Sequence, residues 1–162
     1  MLNTPNTRVV IVRSAVPVRS IGFIPGTVED KMLVYEQPYI SIATELFGHK
    51  KAWSTLKDMG CSFIPTSYIR GITLDNCIII VDEAENMTFQ ELDSIVTRCG
   101  SSTRLIICGD DLQADIPNSG LSRLMSILSY TLVPRIDFLP RDIVRSAFVK
   151  DYILARDTQF RD

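Results

Sequence analysis

The chain has 162 residues, 46% of them hydrophobic and 22% charged, with a formal net charge of −2. That is apolar material for one buried core, within the usual range of about 100–200 residues per domain, and the near balance of charge excludes a global attraction to nucleic acid or to an anionic membrane. Apolar runs are strand-sized, short of the roughly 20 residues a membrane helix needs, and Met1-Leu2-Asn3-Thr4-Pro5-Asn6 lacks a signal-peptide apolar region, so a cytosolic protein with no membrane partner is expected.

In chain order, Arg8-Val9-Val10-Ile11-Val12-Arg13 reads as a β-branched strand and Pro17 to Thr27, with Gly22, Pro25 and Gly26, as the longest irregular loop. Val28 to Phe47 has helical character broken near Pro38, which lacks the N–H a helix interior needs. Lys50 to Met59 reads as a helix, with Trp53 and Leu56 at core spacing, and Ser62-Phe63-Ile64 as a short strand. Cys77-Ile78-Ile79-Ile80-Val81 is the next strand. From Phe89 to Cys99 a helix gathers Leu92, Ile95, Val96 and Cys99 on one face, opened by a Thr88/Glu91 capping box. Arg104 to Cys108 is a further strand, Leu121 to Tyr130 a helix, Arg135-Ile136-Asp137-Phe138 a short strand, and Ile143 to Ala155 a last helix.

Strands alternating with helices predict an α/β fold, a mainly parallel sheet covered on both faces in three α/β/α layers, as a single domain over 1–162. The three main strands are continuous apolar runs, as strands buried on both faces require. Cys61, Cys77, Cys99 and Cys108 form no CxxC pair and read as small apolar residues.

Chemistry concentrates at two strand ends. The apolar strand ending at Val81 meets solvent with Asp82 and Glu83; there one carboxylate suits Mg²⁺ held through water and the next suits orientation of an attacking water. The bland reading is two acids that open a loop. Ile107-Cys108-Gly109-Asp110-Asp111-Leu112-Gln113 repeats the design, and the Gln113 amide offers both a donor and an acceptor to a phosphate or a water. Arg145, near a helix start, offers a planar fork to phosphate oxygens or to a local acid such as Asp142. No GxxxxGK[ST] phosphate loop occurs in the sequence. The lone His49 reads as a surface or capping residue, Trp53 as core, and Lys50-Lys51 as a solvated face, with no glycine-rich turn to make them a phosphate loop.

Gly22-Phe23-Ile24-Pro25-Gly26, Tyr68-Ile69-Arg70-Gly71, Val81-Asp82-Glu83-Ala84-Glu85-Asn86-Met87-Thr88, Gly109 to Gln113, Ser119-Gly120-Leu121 and Asp142 to Arg145 stand in the order seen in PhoH-like proteins. The chain resembles that family of P-loop ATPases, related to the superfamily 1 helicase core, from about Arg8 to Ala155, and its wording around Arg13 and Glu29 resembles bacteriophage versions. The resemblance implies a RecA-like P-loop NTPase core that uses ATP and Mg²⁺, and a role in RNA or DNA remodelling. It implies Asp82 as the Walker B metal carboxylate, Glu83 as the catalytic acid, Gln113 as a sensor and Arg145 as a phosphate-sensing arginine. Arg70 and Arg13 would line the nucleotide side, though each has a local ion pair as its structural alternative.

Two departures follow from the same resemblance. Glu85 stands where the family usually carries glutamine, adding negative charge near a phosphate site. The family's phosphate-loop strand and helix precede the segment equivalent to Arg8–Arg13, so the chain reads as the C-terminal two-thirds of the domain, N-terminally truncated and nearly inactive alone. The missing strand would lie centrally, beside the strands bearing Asp82 and Gln113, leaving edges that natural sheets cover. Three readings stay open: a fragment of an active ATPase, an interaction module whose sheet edge binds a second copy or a host protein, and a split enzyme completed in trans.

Overall fold

The computed structural model describes residues 7–14 and 28–159, in which the β-branched runs form one four-stranded, wholly parallel sheet. Its strands are β1 (Arg8–Arg13), β2 (Cys61–Pro65), β3 (Cys77–Val81) and β4 (Arg104–Ile107), in the order β2-β1-β3-β4. Val12 lies opposite Ile64 on one side and Val81 on the other, and Val81 in turn lies opposite Ile107. The expected loop from Pro17 to Thr27 lies outside the described residues.

Helices α1 (Val28–Phe47) and α2 (Ala52–Asp58) connect β1 to β2, while α3 (Phe89–Val96) connects β3 to β4. These two crossovers leave the centre of the sheet in opposite directions, so their right-handedness puts them on opposite faces and produces the expected three layers. Ile11 and Phe63 pack with Ala43, Ala52 and Trp53 on the first face. Side chains alternate along a strand, so Val10, Val12, Ile79 and Val81, all at most 2% exposed, belong to the second face. The buried Leu92 and Ile95 of α3 serve that side.

Several expectations are corrected. Pro38 does not break α1, which runs unbroken past it; Met32, Tyr35, Tyr39 and Ile40 pack against the Trp53–Phe63 core, and this burial outweighs one lost helical hydrogen bond. β4 is not buried on both faces: it is an edge strand with Ile106 41% exposed. β3 has partners on both sides, so a further strand has no place between β3 and β4 and can join only at an outer edge. Arg135–Phe138 forms no strand; Arg135 instead donates to Asp137 within the segment, at 2.6 Å. The last helix, α5 (Ala147–Gln159), starts later than Ile143 because the Ser146 hydroxyl accepts from Val149 N, at 3.4 Å, and caps it.

The chain divides into two compact units, Met1–Ile127 and Leu128–Asp162. The first carries the sheet and most of α4 (Leu121–Leu128), and the second carries α5, with Tyr130, Phe138 and Phe148 exposed.

The predicted capping box forms and reaches further than its own helix. Glu91 accepts from Thr88 N at 2.9 Å and Thr88 Oγ1 at 2.8 Å through one oxygen, and from Thr66 Oγ1 at 2.6 Å and Ser14 Oγ at 3.4 Å through the other. Burial by itself would raise its pKa, yet these donors outweigh burial and hold the carboxyl below the ordinary carboxylate range. Stability from a depressed carboxylate is present above its unfolded pKa and lost as pH falls through the folded value. Glu91→Ala should therefore cost about 2 kcal/mol in urea denaturation at neutral pH. The deficit should shrink in acid, and a pH-independent one would contradict the assignment.

Candidate functional site

β1 and β3 are neighbours, and the chain leaves them in opposite directions, so a crevice opens at their carboxyl ends where parallel α/β sheets place ligands. Arg13 ends β1 there, and Asp82 and Glu83 follow β3. Asp82 N extends the ladder to Val12 O, at 2.9 Å. The Arg13 guanidinium pairs with the Glu83 carboxylate, while the Tyr39 hydroxyl on α1 donates to Asp82 Oδ2 at 2.7 Å. Burial would lower the Arg13 pKa, but Glu83 and Tyr39 outweigh it and hold the guanidinium charged. Burial, reinforced by Asp82, pushes the Tyr39 hydroxyl above the ordinary phenol range, so Tyr39 stays protonated.

Glu83 sits at φ +50°, ψ +50°, a left-handed conformation that non-glycine residues seldom adopt. Such strain persists where surrounding contacts enforce it, and it clusters at functional sites. The enforcing contacts follow at once. Ala84 N donates to Cys108 O at 3.0 Å, Glu85 Oε2 accepts from Asp110 N at 3.1 Å, Asn86 Oδ1 accepts from Asp115 N at 2.8 Å, and Met87 O accepts from Gly120 N at 2.8 Å. Residues 84–87 thus fasten the end of β3 to the chain that follows β4.

The model of the family described as PhoH-like protein matches residues 1–157. The chain belongs to the PhoH-like family. It is 31% identical over 157 residues to the PhoH-like protein of Bacillus subtilis (strain 168), covering 94% of this chain and 49% of that protein. Identity with the PhoH-like protein of Synechocystis is 33% over 132 residues, 79% of this chain and 40% of the relative. Identity with Protein PhoH of Escherichia coli (strain K12) is 29% over 147 residues, 86% and 42% of the two chains. The chain spans less than half the length of these relatives. The parallel sheet agrees with the family's P-loop NTPase fold.

ATP and Mg²⁺ are the groups this family implies. The partly exposed oxygens of Asp82 and Glu83 are hard donors suited to Mg²⁺, which takes few protein ligands and fills its shell with water and phosphate. Among the described residues no group of three or more His, Cys, Asp or Glu is placed to hold a metal ion. Arg13 supplies the positive charge beside them.

The other predicted residues are distributed differently. Gln113 is exposed and donates to Asp110 Oδ2 at 2.6 Å, so it reaches the carboxylate set only through the Asp110–Glu85 link. Arg70 is exposed in the return from β2 to β3 and has no part in the Arg13–Glu83–Asp82 set. Arg145 lies in the second unit, exposed, just before α5. Tyr39 was not legible as a site residue. Tyr35 and Tyr39 lie four apart on α1 and read as a core-facing aromatic pair, and no local pattern marks the Tyr39 hydroxyl. Trp53 is core as expected, its Nε1 donating to buried Glu36 at 2.8 Å.

Glu85, expected to bring negative charge near a phosphate, is only 6% exposed, and its carboxylate bonds backbone instead. Burial raises its pKa, so ionisation opposes folding: its contribution is favourable below the unfolded pKa and lost as pH rises through the folded one. Glu85→Gln keeps the acceptor and removes the charge. It should raise the melting temperature above pH 7 by about 3 °C and flatten its fall with pH, and an unchanged pH profile would sink this account.

Proposed function

We propose that the chain supplies the metal-holding and water-orienting half of an ATP-hydrolysing site, and that a GxxxxGK[ST] segment outside these 162 residues cradles the phosphates. The observation that carries this reading is the meeting of Arg13, Asp82 and Glu83 at the switch point between β1 and β3. Mg²⁺ would supply charge neutralisation between phosphate oxygens. Asp82 would hold the hydrated ion through its carboxylate, and Glu83 would orient the water and take its proton as the water oxygen bonds the terminal phosphorus and the bond to the departing diphosphate breaks. Phosphate oxygens compete with Glu83 for the Arg13 guanidinium, which frees the Glu83 carboxylate for water. Gln113 serves phosphate sensing in the same reading, and the coupled work is RNA or DNA remodelling in the cytoplasm. No helix among the described residues is long and apolar enough to cross a membrane.

Backbone N–H groups of a phosphate loop and its lysine do most of the positioning in such chemistry, so hydrolysis by the 162-residue chain alone is negligible. Joining or mixing the chain with a GxxxxGK[ST] segment should give Mg²⁺-dependent hydrolysis of ATP. A folded, joined protein that binds ATP and never hydrolyses it would defeat the proposal.

The outer edge of β4 favours a second reading, an interaction module. Its outer backbone groups carry no strand partner among the described residues, and Ile106 is exposed there. A second copy or a partner protein adds a strand at that edge. Sedimentation should show self-association at tens of micromolar; a monomer that also fails to pair with a phosphate-loop segment would remove this reading.

A further inference from the structure

Tyr39 offers more than packing. An aspartate at a strand end rotates freely about its terminal torsion, which has a broad, roughly two-fold profile, and a carboxylate in that state presents either oxygen to a cation. Here one oxygen is taken: Tyr39 Oη lies 2.7 Å from Asp82 Oδ2. In that bond the phenol O–H donates and the carboxylate oxygen accepts.

The ring that carries this hydroxyl is itself fixed. It stacks on Trp53, with centroids 6.0 Å apart and planes at 25°, and leans on Phe63 at 5.7 Å. Trp53 is anchored in turn, its Nε1 donating at 2.8 Å to the buried Glu36 carboxylate, which also accepts from Lys57 Nζ at 2.6 Å. A continuous line of fixed contacts therefore runs from α2 through Trp53 and Tyr39 to the carboxylate at the end of β3.

We infer that Tyr39 is a positioning residue for Asp82: its hydroxyl occupies Oδ2 and fixes the carboxylate plane, leaving Oδ1 as the oxygen presented to a hydrated divalent cation. The inference rests on the reading of Asp82 as the metal-holding carboxylate. Partners that orient a metal's direct ligands commonly change affinity by about 10- to 100-fold when removed.

The test uses the full chain, Tyr39→Phe, which keeps the ring and its packing, and Mn²⁺ as the probe. In the metal-free protein the Asp82 side-chain carboxyl ¹³C resonance should move in the variant, with a fold shown intact by its amide spectrum. Mn²⁺ should selectively broaden the Asp82 and Glu83 amides of the wild type, with the midpoint displaced about tenfold upward in Tyr39→Phe. An unmoved carboxyl resonance, or an identical Mn²⁺ midpoint, overturns the role of Tyr39. Asp82→Asn separates the two claims. Broadening that persists in Asp82→Asn overturns the metal-site reading, and the carboxyl resonance still decides by itself whether Tyr39 orients Asp82.

Discussion

Gly120→Ala lowers the melting temperature by about 10 °C, a far larger loss than one methyl group normally brings. A Cβ at Gly120 would stand 2.2 Å from Phe89 N, 2.4 Å from Phe89 Cα and 2.6 Å from Thr88 C. These are backbone atoms at the start of α3, locked by the Thr88–Glu91 capping box, so they have no rotamer by which to yield. Relief requires moving α4 away from α3, which breaks the 2.8 Å bond from Gly120 N to Met87 O and loosens the turn that shapes Glu83. Overpacking a core costs about 1–3 kcal/mol, and a backbone clash belongs at the upper end. Gly48→Ala is the control, with φ +72° and nothing within 4 Å of the added carbon. It carries only the left-handed penalty of about 1–2 kcal/mol. Thermal melts of the two variants decide the matter; equal, small shifts would mean that the junction between Met87 and Gly120 is not tight.

Glu83→Gln, in a chain joined to a phosphate-loop segment, lowers ATP turnover by about 10²- to 10⁴-fold. Glutamine keeps the size and the acceptor oxygen but cannot take a proton from water, and it ends the charge pairing with Arg13. Arg13 is then unopposed for phosphate, so ATP affinity should hold or rise while turnover falls. That split identifies a group used in the chemical step and not in ground-state binding. A rate within about threefold of wild type would remove Glu83 from that role.

Much of this architecture is written locally. β1 and β3 are runs of β-branched residues, Thr88 and Glu91 announce the start of α3, and the carboxylates after Val81 mark the working edge of the sheet. Other features depend on what lies across space. Arg104–Ile107 looks the same in sequence whether it lies inside a sheet or at its rim, because burial is set by neighbours that its own residues do not encode. Pro38 predicts a break, and the aromatic packing of Tyr39 and its neighbours overrides it. Glu85 reads as surface charge, yet its environment is a backbone N–H 25 residues further along the chain. The Tyr39 hydroxyl reaches Asp82 across 43 residues, a pairing that depends on the packing of α1 against Trp53, Ile11 of β1 and Phe63 of β2. The motif Ser119-Gly120-Leu121 is legible as a family signature, while its physical purpose, a close approach to Phe89, is not.

The division of labour between this chain and a phosphate loop is tested most directly by calorimetric titration of ATP, with Mg²⁺ present, into the 162-residue chain and into the same chain joined to a GxxxxGK[ST] segment. The chain alone should give no measurable heat of binding, and the joined protein should bind with a dissociation constant on the order of micromolar, about −8 kcal/mol. Micromolar binding by the chain alone would contradict the account, because the carboxylate edge built on Arg13, Asp82 and Glu83 would then hold the phosphates unaided.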